Sequence, residues 1–131
     1  MNKNRTMSCP CGSKKPYSNC CEPLHLGAAN AQTAEGLMRS RYSAYVFENE
    51  DYLLKTWAKT TRPGQISFEK GLIWKKCRVI KTKQGQASDQ QGQVWFKASY
   101  QVADQSGVMN EKSVFIRDEH SHWVYVNGEV R

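Results

Sequence analysis

Four of the five cysteines of this 131-residue chain crowd into CPCGSKKPYSNCC, positions 9–21. A segment that short cannot bury enough apolar surface to fold by itself, so a disulfide, a redox pair or a metal must organise it. The odd cysteine total argues against a disulfide framework. The start, MNKNRTMSC, is charged and has no apolar stretch behind it, unlike a secretory signal. The expected location is therefore the cytoplasm, where thiols stay reduced. A thioredoxin-type centre needs C-x-x-C beside a βαβ pattern, and the chain has neither.

Metal binding explains the spacing. Zinc takes four soft ligands in a tetrahedron, with thiolates at about 2.3 Å. Cys9 and Cys11 present two sulfurs from one tight turn, and Gly12 lets the backbone bend with positive φ just beyond it. Pro16 suits the first position of a short helical turn through Tyr17, Ser18 and Asn19, which delivers Cys20 and Cys21. Pro23 biases Glu22 away from helix and predicts that the turn ends there. The expectation is one zinc ion held by Cys9, Cys11, Cys20 and Cys21, with His25 as a substitute for either of the last two. All four positions are then filled, the structural rather than the catalytic pattern. Cys77 sits in a strand-like segment and reads as a small buried apolar residue.

The remaining chain has no internal repeat and no apolar run of about 18 residues, so no membrane span is expected. Residues 27–33 look like a linker. Thr33 caps a predicted helix to about Glu48, with Leu37, Met38, Tyr42 and Tyr45 on one face. Asn49 caps a second helix that carries Leu53, Leu54 and Trp57, and Pro63-Gly64 closes the helical half. Segments near 66–68, 72–82, 93–102, 108–117 and 122–127 are rich in β-branched and aromatic residues. Between 94 and 102 apolar and polar residues alternate, as in an antiparallel strand with one buried face. Helices followed by strands argue for an α+β fold.

Two resemblances follow. CPCGSKKPYSNCC resembles the SEC-C motif, the zinc module at the tail of the bacterial preprotein translocase ATPase. Lys14 stands where that motif has a second glycine, and Ser18-Asn19 where it has a basic pair. The motif implies zinc on Cys9, Cys11, Cys20 and Cys21, and by analogy with the translocase a protein or ribosome contact. With EGLMRSRYSAYVFENEDYLLKTW and HWVYVNGE, nearly the whole chain is similar to the YchJ-like family of small bacterial proteins. That family implies a nuclear transport factor 2-like cone, in which helices pack on a curved antiparallel sheet. The expected division is a zinc module at 1–30 and the α+β domain at 31–131.

Within MRSRYSAY, Arg41 falls inside the apolar arc and Arg39 at its edge beside Val46. A guanidinium aimed at a core is costly unless a carboxylate or several carbonyls receive it, so Arg41 is expected to be paired, with Asp51, Glu111 or Asp118 as candidates. Arg41, Tyr42, Tyr45 and Trp57 thus mark either a structural ion pair or a pocket for an anion. His120 and His122 read as exposed turn residues. No Ser-His-Asp order, phosphate-binding glycine loop or H-E-x-x-H is present, so no catalytic residue is assigned. The leading expectation is a zinc-binding adaptor for a protein or ribosomal partner. The alternative is a small-molecule binder or pocket enzyme of the nuclear transport factor 2-like class. Weak RNA binding through Lys75, Lys76, Arg78, Lys81 and Lys83 comes third, given the net charge of +7.

Overall fold

The computed structural model describes residues 7–131. A short 3-10 turn, Tyr17–Asn19, precedes three helices: α1 (Glu22–His25), α2 (Ala34–Val46) and α3 (Glu50–Lys55). Four strands follow, β1 (Leu72–Gln84), β2 (Gln91–Val102), β3 (Gln105–Arg117) and β4 (Trp123–Val130). They form one antiparallel sheet in the order β1-β2-β3-β4, a meander whose consecutive strands all pair. Register shifts between Trp74 and Lys76, Val79 and Lys81, and Val114 and Phe115 are the bulges that bend such a sheet.

The two expected caps are in place. The Thr33 side chain accepts from the Gly36 amide at 3.0 Å, and the Asn49 side chain accepts from the Tyr52 amide at 3.1 Å. Each satisfies an amide that the first helical turn leaves without a partner. Helix α2 lies across all four strands. Leu37, Met38 and Tyr42 meet Cys77, Val94, Phe96, Ala98, Phe115 and Trp123 from the sheet in one core. A second cluster, Ala44, Tyr52 and Leu53, joins α2 to α3.

Three expectations need correction. Residues 66–68 are not a strand. The Ile66 amide donates to Glu50 at 2.7 Å and Phe68 packs edge-on against Tyr45, so this segment clips onto α3 instead of joining the sheet. Pro23 does not end the helical turn; it sits in the first turn of α1, where a missing N–H costs nothing. The turn between the segments expected at 93–102 and 108–117 is shorter than that spacing implies: it is Ala103-Asp104, with Ala103 at φ 53°, because Val102 pairs with Gln105. Gly107 then meets the Tyr100 ring, where any Cβ would collide. Cys77 is buried as expected.

Candidate metal centre and the adjoining cavity

Cys9 and Cys11 lie on a turn closed by the Gly12 amide donating to the Cys9 carbonyl at 3.3 Å. Gly12 has φ +84°, a region that costs an L-residue about 1–2 kcal/mol. The 3-10 turn carries the chain round to Cys20 and Cys21, with the Cys20 amide donating to the Tyr17 carbonyl at 3.0 Å. The four sulfurs all lie within 4.8 Å of one another. Cys11 is 3.6 Å from Cys20, and Cys20 is 3.9 Å from Cys21. A tetrahedron with metal–sulfur bonds of 2.3 Å has sulfur–sulfur edges of about 3.8 Å, so the spacing fits one ion. None of the five cysteines is in a disulfide. This donor set can hold a metal ion.

The electrostatics suit a cation. Hydrogen bonds from Cys21 and Cys9 favour the Cys11 thiolate and pull its pKa down. The same contact with Cys11 pushes the Cys21 thiol up, and burial lifts Cys20 to about 11. Packed thiols without an ion cannot all ionise. A divalent cation removes that conflict by favouring every thiolate together.

The module is seated deep against α2 and β1. Cys11 and Cys21 are 0% and 1% exposed. The Ser43 hydroxyl donates to the Cys21 sulfur at 3.4 Å and lies 3.5 Å from that of Cys9, supporting the ligands from the outer shell. Arg39, which its place on the helical wheel put merely at an edge, bridges the two parts. It donates to Glu35 at 2.9 Å and to the Cys11 carbonyl at 2.7 Å. A Cβ on Gly12 would stand 2.5 Å from the Cys77 carbonyl oxygen, so the turn rests directly on β1.

His25 is not among the clustered ligands, because both its ring nitrogens are engaged elsewhere. Nε2 is 2.8 Å from the Ser40 carbonyl and Nδ1 is 2.7 Å from the Tyr17 hydroxyl. A carbonyl only accepts, so Nε2 carries the proton and Nδ1 accepts from Tyr17. Burial lowers the His25 pKa below its usual 6.5. The unfolded chain therefore binds the extra proton first. Stability that is intact above pH 6.5 should fall as the pH drops through the folded-state value. Urea midpoints measured between pH 7.5 and 5.5 should decline, and His25→Asn should remove part of that slope. A slope unaltered by the substitution contradicts the assignment.

A second feature lies between α2 and the sheet, a cavity of about 270 Å³. Tyr42, Tyr45, Trp74, Phe96 and Met109 form apolar wall, while Arg41 and Glu111 bring charge to it. Trp57 does not line it. Its ring sits behind the Arg41 guanidinium, 4.9 Å away, with Tyr125 at 4.5 Å.

The carboxylate pairing expected of Arg41 is absent. Asp51 is exposed and Asp118 binds the amides of His120 and His122. Glu111 acts on Arg41 through space, and no ion pair forms. Instead, Arg41 Nη1 donates to the Leu53 carbonyl at 2.8 Å and to Thr56 Oγ1 at 2.7 Å. Leu53 belongs to the last turn of α3, whose carbonyls lack helical partners, so the cation caps that helix. Burial raises the pKa of Glu111, against the opposing effects of its Ser113 hydrogen bond and of Arg41. His120 and His122 are exposed, as anticipated.

Comparison with known proteins places these features in a lineage. Residues 33–128 match the family model described as YchJ, middle NTF2-like domain, and residues 5–23 match the SEC-C motif. A UPF0225 protein of Streptomyces avermitilis is 44% identical over 122 residues, covering 93% of this chain and 84% of that protein. One from Streptomyces coelicolor is 42% identical over 124 residues, covering 95% and 96%. The solution structure of a SEC-C motif containing protein from Rhodopseudomonas palustris superposes with a TM-score of 0.83 at 28% identity, covering 95% of this chain and 99% of that one. The crystal structure of a sec-c motif containing protein from Psychrobacter arcticus gives 0.80 at 26% identity, covering 98% and 85%. No helix among the described residues is long and apolar enough to cross a membrane.

Proposed function

The chain belongs to the YchJ-like, UPF0225 family, and from that premise we propose a zinc-clasped binder of a small molecule. Zinc is the ion for Cys9, Cys11, Cys20 and Cys21, since four thiolates in a tetrahedral cage suit it best among common cellular divalent ions. Its role is structural, joining the module at 1–30 to the domain at 31–131. The ligand occupies the cavity between α2 and the sheet. One observation carries this: that cavity holds Arg41, which forms no ion pair among the described residues, in a wall whose other charged group is Glu111 and whose remainder is mostly aromatic and aliphatic.

A buried guanidinium lacking an ion pair costs the fold stability. Only Nη1 of Arg41 is hydrogen-bonded among the described residues, which leaves Nε and Nη2 to meet a guest. The volume suits a compact molecule with an apolar body and one anionic or hydrogen-bonding end. The adaptor role draws support from the SEC-C resemblance and from the exposed Lys14 and Lys15 at the module's rim. It ranks second because most of the cysteine cluster and Tyr17 are turned inward.

NMR titration with benzoate tests the cavity. Resonances of Tyr42, Tyr45 and Tyr125 should shift, and Arg41→Met should weaken binding at least tenfold, alongside a stability loss of about 1–3 kcal/mol because the Leu53 carbonyl and Thr56 lose their donor. A purely structural Arg41 would show that stability loss with benzoate affinity of the folded protein unchanged. If neither benzoate nor benzyl alcohol perturbs cavity residues, the ligand-binding role is wrong.

A further inference from the structure

The antiparallel register sorts side chains onto two faces, and the outer one is strongly cationic. Residues directly opposite each other across a strand pair share a face. Trp95, on the central strand β2, faces Lys81 on one side and Lys112 on the other. The next rung along β2 sets Arg78 against Lys97. Lys76 opposite Ser99 and Lys83 opposite Gln93 extend the patch at both ends. Among the residues the register places on this face, Glu129 alone is acidic, and it is already paired with Lys112 at 3.3 Å. Lys76, Arg78, Lys81, Lys83 and Lys97 are exposed, and none of them forms an ion pair among the described residues.

We propose that this outer face binds a single strand of RNA. Like charges directly opposite each other weaken a strand pair, and the Arg78–Lys97 rung is such a pair with no carboxylate to relieve it. A phosphate lying between them turns that repulsion into two attractions. Trp95 supplies what an acidic peptide would not use. Its indole lies amid the cations, with the Lys81 ammonium 4.4 Å from the ring centroid. Base stacking on an aromatic ring in a basic groove is the common means of holding single-stranded nucleic acid. On binding, Lys81 would leave the ring for a phosphate and a base would take its place. The uncharged positions among the cations, Gln93, Ser99 and Asn110, can hydrogen-bond the 2′-hydroxyl that distinguishes RNA from DNA. From Lys76 to Lys83 the patch runs roughly 20 Å along β1, room for a few nucleotides.

Fluorescence anisotropy with a labelled ten-residue uridine oligonucleotide tests the proposal on the intact chain. With Arg78 and Lys97 sharing one phosphate, the five unpaired cations engage four, so the log of the affinity should fall with log salt at a slope of about −3 between 50 and 200 mM. Arg78→Gln with Lys97→Gln, which removes the phosphate they share, should make that slope shallower by about 0.7. Trp95→Ala should weaken binding about tenfold at constant salt. Should it also lower the melting temperature, Lys97→Glu, at an exposed position, is the substitute and should weaken binding as clearly. The proposal fails if binding is absent at 50 mM salt, if it is insensitive to salt, or if Trp95→Ala and Lys97→Glu leave it unchanged. Equal affinity for a decathymidine DNA overturns the assignment to RNA. Equal affinity for a ten-residue glutamate peptide overturns nucleic acid altogether.

Discussion

Stripping the ion from the cysteine centre, by chelation or by Cys21→Ser, should lower the melting temperature by more than 10 °C. Structural zinc sites contribute their binding free energy directly to folding, because the unfolded chain has no preformed site. Here the loss spreads beyond the turn. Without an ion, the packed thiols must reprotonate, and the inward-facing cluster of Cys9, Cys11, Tyr17 and Cys21 loses what closes it. A penalty of several kcal/mol at roughly 3–5 °C per kcal/mol for a chain of this length gives the stated shift. Calorimetry with and without chelator, alongside metal content by mass spectrometry, measures both halves. One zinc per chain and a large shift are expected. Thiols that alkylate freely in native protein, with melting unchanged by chelator, would refute the centre.

The next largest effect belongs to Gly12→Ala. A single methyl group there meets the carbonyl oxygen of Cys77 at 2.5 Å, and the backbone is held at φ +84°. Because the obstructing atom is main chain inside β1, no side chain can swing aside to relieve it. The conformational cost of about 1–2 kcal/mol adds to the displacement of the turn. That displacement also pulls the Cys11 carbonyl from Arg39. The expected total is about 2–4 kcal/mol, comparable to the more damaging core substitutions. Gly64→Ala is the matched control. Nothing lies within 4 Å of that position, and its melting temperature should stay within a degree or two of the wild type. If Gly12→Ala behaves like Gly64→Ala, the module does not bear on β1 as described.

Features with a local signal were legible in the chain. Thr33 and Asn49 announce two helix starts because capping involves residues only three apart. The alternation from Val94 to Val102 announces β2 and which side of it is buried. The family resemblance supplied the cone-like arrangement that local signals lack. Pro23 misleads because the same ring that ends one helix is welcome in the first turn of another. The segment 66–68 has strand-like composition, yet the Glu50 carboxylate captures its backbone first.

Long-range partners were beyond sequence reasoning. Arg41 was marked as costly by its place on the wheel, but its receiver is a helix-end carbonyl and a threonine, groups that no charge pattern reveals. Glu111 joined the cavity only because β3 pairs with β2 in one register. The same pairing brings Lys97 and Lys112 beside the basic run of β1. The link from Arg39 to Cys11 spans 28 residues and follows from how α2 lies on the turn.

The seat of the cysteine turn also has a consequence in time. Gly12 rests on the backbone of Cys77, and Ser43 backs two of the sulfurs. At translation speeds of 5–20 residues per second, Cys77 follows Gly12 by roughly 3–13 s. During that interval the thiols stand in a nascent chain whose supporting wall has not been made. An ion captured then would hold the loop in shape until β1 arrives to receive it.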